Sequence, residues 1–430
     1  MFLSSFADIR AWIHSRSHWF AALTFLLVEW AGCLTFLLRA RIVPEGGFFL
    51  EAQKMLATGP IPDTNAYPPL LRTTYWALMK LLHIPSLNQW AVYSVGFFLA
   101  GGAFYWLLLQ LEITQKSRFW IFVFAMLNPY FIWLTLTSKD TALEACFSFL
   151  FFGLVLKIAS SQKYSSVRMV DVAALLGLVL VGLLTRLTTV FPALLVCFLL
   201  VIFMRQAKQK LFAITGTGVL LIALGYCGIH AINYGSFSLS NNFASNFYFG
   251  NHPLYDYAHP RNDLDIFLPN DLDGVYAQAE ATHTLTQLTV QRITQNPSAF
   301  AVRVIEKTLW HWFNFEKIPN LSSNTMALSA TSDQLVLRVS PIRYFEMLPY
   351  LVYKFFYVPA FLIALFALGI LRERKLFIHA LLLVPLFALW PIVVLTFPDT
   401  RFKIVGEMMA VPFIWLACEA LIARIRPAQT

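Results

Sequence analysis

The chain is poor in charge. Only 13% of its 430 residues are Asp, Glu, Lys or Arg, about half the share of a soluble globular domain. That shortage excludes an ordinary soluble enzyme and a disordered regulator, both of which need a charged surface. Cysteine is scarce as well. Cys33, Cys146, Cys197, Cys227 and Cys418 all lie inside apolar runs, so they read as small hydrophobes rather than as a disulfide framework or a metal cage. The chain has no G-x-G-x-x-G, Walker loop, H-E-x-x-H or C-x-x-C, which leaves soluble nucleotide and zinc chemistry without support. It also lacks an internal repeat of the kind many transporters carry. The first apolar run follows Arg10 and Arg16 without an A-x-A cleavage site. Although Ala31-Gly32-Cys33 faintly resembles a lipoprotein box, the run continues past the cysteine, and it reads as a retained signal anchor.

Apolar length is what the sequence has in excess. Hydrophobic residues make up 58% of the chain, with 40 Phe among them. Long apolar runs fall near 19–39, 88–110, 118–137, 141–160, 170–204, 211–232, 349–371, 376–396 and 404–423. A single helix over 170–204 would reach about 52 Å, against a hydrocarbon core of about 30 Å. The polar break at Thr185-Arg186, followed by Thr188-Thr189, divides it into two short spans. The expected fold is therefore an all-α polytopic membrane protein with ten transmembrane helices.

Lysine and arginine orient it. With both termini cytoplasmic, each inner segment is basic: Arg10 and Arg16; Lys116 and Arg118; Lys157, Lys163 and Arg168; Arg205, Lys208 and Lys210; Arg372, Arg374 and Lys375; Arg424 and Arg426. The net charge of +9 is thus a topology signal, and no nucleic-acid partner is expected. Three units follow: a seven-span module over 1–232 with a first outer loop at about 40–87, an extracytoplasmic loop domain over 233–348, and a three-span module over 349–430. The loop domain carries ten acidic side chains against seven basic ones. Residues 48–57, 70–83 and 298–315 have the periodicity of amphipathic helices. The last, with Phe300, Val304, Leu309, Trp310, Trp312 and Phe313 around Arg303, Glu306 and Lys307, is expected to lie in the interface plane and roof a cavity.

Charges at or near membrane depth are costly and often functional. Glu45 stands between Pro44 and two glycines just beyond the first span, and Asp140 occupies the short turn before the fourth. Asp140 also suits a plain helix N-cap. Arg186 and Arg401 sit on the outer side, against the topological bias, and a guanidinium fork fits phosphate. Reaching for lipid headgroups is the simpler role for both. Glu29, in the middle of the first span, is expected to be paired or to face the bundle interior. Asn270-Asp271-Leu272-Asp273-Gly274 lacks the downstream ligands of a calcium loop and reads as a turn.

Taken in order, several segments resemble the GT-C superfamily of membrane glycosyltransferases. The likeness is to bacterial proteins related to protein O-mannosyltransferases (glycosyltransferase family 39) and to lipid A aminoarabinose transferases. It rests on Pro44-Glu45-Gly46-Gly47-Phe48-Phe49-Leu50-Glu51-Ala52, Tyr67-Pro68-Pro69-Leu70, the acid Asp140, Gly182-Leu183-Leu184-Thr185-Arg186, Asn246-Phe247-Tyr248-Phe249-Gly250-Asn251, Asn296-Pro297 through Lys307, and Arg401-Phe402-Lys403. The family's acidic pair is reduced here to Glu45, with Pro44 beside it, and Tyr67 stands where some relatives carry a lysine.

The resemblance implies an inverting glycosyltransferase using a polyprenyl-phosphate-linked sugar on the outer face of the plasma membrane. The acceptor would be a hydroxyl of a glycan, lipid or protein. Glu45 or Asp140 would be the general base. Arg401, Arg186, Arg72 and Lys139 would bind the donor phosphate, and Tyr67, Asn246, Tyr248 and Asn251 would belong to the acceptor side. No ligand cluster calls for a cofactor, and metal dependence stays open. The competing readings are a flippase or transporter, which would show repeat symmetry and ionisable groups along its spans; a polymerase or ligase of lipid-linked glycans; and a non-catalytic membrane scaffold.

Overall fold

The structure is a computed structural model. It describes residues 17–39, 52–56, 70–85, 87–137, 141–161, 166–234, 237, 239, 242–252, 279–313, 326–331, 334–339, 342–371, 374–396 and 403–425. Nearly all of these are helical. The helices are α1 (Ser17–Arg39), α2 (Leu70–Leu82), α3 (Gln89–Leu109), α4 (Gln115–Met126), α5 (Pro129–Thr137), α6 (Thr141–Ser160), α7 (Met169–Thr185), α8 (Val190–Phe203), α9 (Gln206–Tyr234), α10 (Asn242–Gly250), α11 (Ala279–Gln295), α12 (Pro297–Phe313), α13 (Ile342–Leu371), α14 (Arg374–Ala380), α15 (Val384–Leu395) and α16 (Ile404–Ile425). The fold is all-helical as expected, with one small antiparallel hairpin, β1 (Met326–Thr331) and β2 (Gln334–Val339), in which Met326 stands opposite Val339.

Among the described residues seven helices are long and apolar enough to cross a membrane, and the chain is a membrane-embedded protein. Their outward faces carry large apolar side chains such as Leu99, Leu221, Ile229, Phe355 and Phe366, an arrangement that needs lipid rather than water around it. The remaining apolar runs are shorter or broken, each for a visible reason. The run expected at 118–137 bends by 63° between α4 and α5. Pro129 begins α5, and Oδ1 of buried Asn128 accepts from the N–H groups of Tyr130 and Phe131 at 3.0 and 3.2 Å, capping the new helix. The run at 170–204 divides at the expected break, where α7 ends at Thr185 and a short turn, Leu187–Thr189, leads into α8. With 17 and 14 residues, these two helices are about 25 and 21 Å long, short of the roughly 30 Å of a hydrocarbon core.

The core is rich in phenylalanine. Phe97, Phe104, Phe122, Phe131, Phe149 and Phe152 are all fully or almost fully buried where α3, α4, α5 and α6 meet. Gly153 lets α6 lie against α3. A Cβ there would stand 2.3 Å from the ring of Trp106, and the small residue at the crossing is what permits the close approach. Gly406 does the same for α16, where a Cβ would meet the backbone nitrogen of Leu386 at 3.0 Å. The side from which the 235–341 segment departs, at the end of α9 and the start of α13, is termed the loop side.

Candidate functional site

A buried polar cluster lies at the loop-side end of α16. Lys403 immediately precedes α16, and Glu407 lies in that helix's first turn, where an acid suits the partial positive charge of the helix end. The Glu407 N–H donates to the Lys403 carbonyl at 2.8 Å, and Lys403 Nζ lies 3.8 Å from Glu407 Oε1. Lys354 of α13 donates to the same oxygen. All three side chains are fully or almost fully buried. Among the described residues the other carboxylate oxygen, Oε2, is buried without a hydrogen-bond partner, as is the hydroxyl of Tyr357. Both phenols are close enough to Glu407 to feel its charge. Buried polar atoms are seldom left without partners. Two such atoms, beside two lysines sharing one carboxylate, mark this cluster as the candidate site.

One wall of this site is a column of rings. Phe124, Tyr353, Tyr357, Phe361 and Trp312 stack in sequence at centroid distances of 5.2, 5.9, 5.9 and 6.0 Å. Tyr353, Tyr357 and Phe361 follow at i, i+4 spacing on α13, which puts them on one helix face. Lys354 Nζ lies 5.0 Å from the Tyr357 ring centroid, a cation–π contact.

α12 closes the site from the loop side. Part of its apolar face looks outward. Val302, Ile305 and Leu309 are 55, 60 and 53% exposed, whereas Lys307 and His311 face inward and are buried. The i, i+4 spacing of Arg303, Lys307 and His311 puts three nitrogen-bearing side chains on one stripe of the helix. The inward turn of Lys307 has a definite cause. Its ammonium donates to Asn251 Oδ1 at 2.9 Å and to the Val394 carbonyl at 3.0 Å, while Asn251 Nδ2 donates to the Leu395 carbonyl at 2.8 Å. These are the carbonyls left over at the end of α15, and a cation there also complements the helix dipole. Further along, Thr308 accepts from Trp390 Nε1 at 3.2 Å, and His311 Nε2 donates to the Leu386 carbonyl at 3.2 Å. Trp312 then packs on Phe361 and Phe387. Phe361 is the tenth residue of the candidate span Val352–Leu371. The end of α12 therefore reaches the middle of a span, which corrects the expectation of a helix lying flat in the interface.

Burial lowers His311 to about 3, assisted by the charges of Lys403 and Lys354 and opposed by its bond to Leu386. Burial, with Arg303 nearby, lowers Lys307 to about 7. His252 falls to about 4 through burial and the charges of Arg292 and Arg303.

A second buried ion pair joins α6 to the α7–α8 break. Arg186 Nη1 donates to Glu144 Oε2, and Thr188 Oγ1 donates to Glu144 Oε1 at 3.4 Å. The side chains of Arg186 and Glu144 are only 11 and 5% exposed. Arg186 is thus held by a carboxylate of its own chain.

Of the other residues singled out in the sequence, Asn246, Tyr248 and Asn251 come together on and just after α10. Asn251 has the anchoring role just described, and Tyr248 is buried under Arg292. Arg72 lies in α2. Glu45, Tyr67, Lys139, Asp140 and Arg401 lie outside the described residues, as does the turn at 270–274. Glu29 turns its carboxylate inward, buried and without a hydrogen-bond partner among the described residues. Sequence reasoning passed over Glu144, Lys354 and Glu407. Each is a single charge within or beside an apolar run, and that is the signal that could have found them. No protein-family model, curated protein or solved structure matches the chain.

Proposed function

We propose that the chain is a membrane glycosyltransferase of the GT-C kind, with ten spans, cytoplasmic termini and its loop side facing outward from the plasma membrane. The two short helices α7 and α8 and the bent pair α4–α5 complete the span count. The donor is a polyprenyl-phosphate-linked sugar and the acceptor a hydroxyl. A carboxylate, Glu45 or Asp140, removes the hydroxyl proton. The oxygen attacks the anomeric carbon from the face opposite the phosphate, the bond from that carbon to the phosphate oxygen breaks, and the polyprenyl phosphate leaves with the electron pair.

The observation that carries this reading is the buried cluster at Lys354, Lys403 and Glu407. It stands directly after Arg401-Phe402 in the chain, and Glu407 Oε2 and the Tyr357 hydroxyl are buried there without partners among the described residues. Lysines in a dry site stabilise charge that develops on a leaving phosphate. Arg401 and Lys403 are the donor-phosphate residues in this reading, while Arg186 is committed to Glu144 in the first turn of α6. The experiment is transfer in membranes that contain the full chain. A polyprenyl-phosphate-linked hexose or pentose, labelled in the sugar, is incubated with them and the label is followed out of the donor lipid. Absence of transfer from every such donor would reject the proposal.

A second reading, transport of the lipid-linked sugar, draws on Glu29, an ionisable group in the middle of α1. It predicts that the same labelled lipid crosses proteoliposome membranes intact.

A further inference from the structure

Around α10, α11 and α12 lies a guanidinium that none of the preceding roles uses. Arg292 of α11 stands over the ring of buried Tyr248, its central carbon 4.9 Å from the centroid. The His252 ring lies 5.7 Å from the same tyrosine. Arg303 of α12 is close enough to act on both His252 and Lys307. Nη1 of Arg292 is sealed from solvent and meets no acceptor among the described residues. A guanidinium stacked on an aromatic face keeps its N–H donors directed along its edge, where they match two oxygens of an oxyanion. Leaving such a donor buried and unmatched is costly, and an anion removes the cost. The surroundings indicate where that anion comes from. Phe243 of α10 is 47% exposed, and the outward face of α12 is apolar at Val302 and Ile305. Arginines next to such a face stand at the depth of phosphate headgroups.

We propose that Arg292, held on Tyr248 and flanked by Arg303, binds a phosphate group at the membrane surface, either the headgroup of an anionic lipid or the phosphate of a soluble ester. The site is separate from the Lys354–Glu407 cluster and does not depend on glycosyl transfer, so its test reads binding alone. The full chain is purified in detergent as wild type, Arg292→Gln, Arg292→Lys and, as a control on an exposed cation of another helix, Lys157→Gln. Native mass spectrometry compares retention of phosphatidylglycerol with phosphatidylcholine, and thermal unfolding is followed with and without glycerol 3-phosphate.

Wild type and Lys157→Gln are expected to retain phosphatidylglycerol preferentially, Arg292→Gln to retain at least fivefold less, and Arg292→Lys an intermediate amount, because it keeps the charge but loses the fork. A shift in Tm with glycerol 3-phosphate that needs Arg292, without lipid retention, supports the phosphate site and assigns its ligand to the soluble source. Equal retention and equal Tm response in wild type and Arg292→Lys overturn the proposal, and that comparison remains readable even where Arg292→Gln does not fold.

Discussion

Arg186 donates to Glu144 across 42 positions of sequence, fastening the end of α7 to the first turn of α6. Removing either partner leaves an uncompensated buried charge, which typically costs about 3–5 kcal/mol, whereas apolar replacement of both is often close to neutral. Arg186→Met and Glu144→Leu should each lower thermal stability in detergent strongly, and the double variant should recover most of the loss. Additive losses in the double variant would show that the pair does not act as a unit.

Gly153 offers a packing test free of charge effects. Its added Cβ would collide with Trp106, whereas Gly177 on α7 has open space around it. Gly153→Ala should destabilise by about 1–3 kcal/mol through overpacking. Gly177→Ala should be neutral or stabilising, because alanine is the better helix former. Thermal unfolding of the two variants side by side checks the α3–α6 crossing.

Both α6 and the α7–α8 break were legible in the sequence, because a long apolar run interrupted by Thr185-Arg186 cannot stay one helix of membrane length. The bend at Asn128-Pro129 was overlooked although Pro at a helix start announces it. Which face of α12 meets the protein was not legible in the sequence, for a physical reason. An amphipathic pattern separates apolar from polar residues but does not say which side meets protein when the surroundings include lipid. The inward face is set by the unsatisfied carbonyls at the end of α15, to which Lys307 and Asn251 are fitted. That fit is invisible in one dimension. The same holds for Lys354 and Glu407, 53 positions apart, which no local spacing connects.

The histidines and Lys307 give the fold a pH signature. His311, lowered from 6.5 to about 3, binds a proton in the unfolded chain but not in the folded one between those values. Stability therefore falls as pH drops through that window, by at most about 1.4 kcal/mol per pH unit for one such group. His252 acts in the same direction down to about 4. Lys307, lowered from 10.5 to about 7, makes stability rise with pH between those values. Tm should climb from pH 4 to 6.5, and His311→Gln should flatten that climb. Lys307→Met should abolish the rise above pH 7. An unchanged acid limb in His311→Gln would contradict the buried neutral imidazole.

Lys307 also separates bracing from chemistry when compared with Lys403. Lys307→Met leaves Asn251 and the Val394 carbonyl without their donor, at a cost of about 1–3 kcal/mol for each buried group left unsatisfied. It should lower Tm while sparing much of the transfer rate of the folded fraction. Lys403 is expected to behave differently. Charge on the departing phosphate grows as the sugar bond breaks, so a lysine facing it is worth more in the transition state than with the bound donor. Lys403→Gln should lower kcat and raise the KM for the donor together, reducing kcat/KM by roughly 10²–10³. Lys403→Arg should restore part of that loss, because it keeps the cation beside Glu407. Glu407→Gln leaves two buried lysines facing an amide, so its first effect is on Tm. Steady-state kinetics on folded protein, with Tm measured on the same preparations, resolves the two behaviours. Should Lys403→Gln lose only stability and keep kcat/KM, Lys403 is a brace like Lys307, and the phosphate must be held elsewhere.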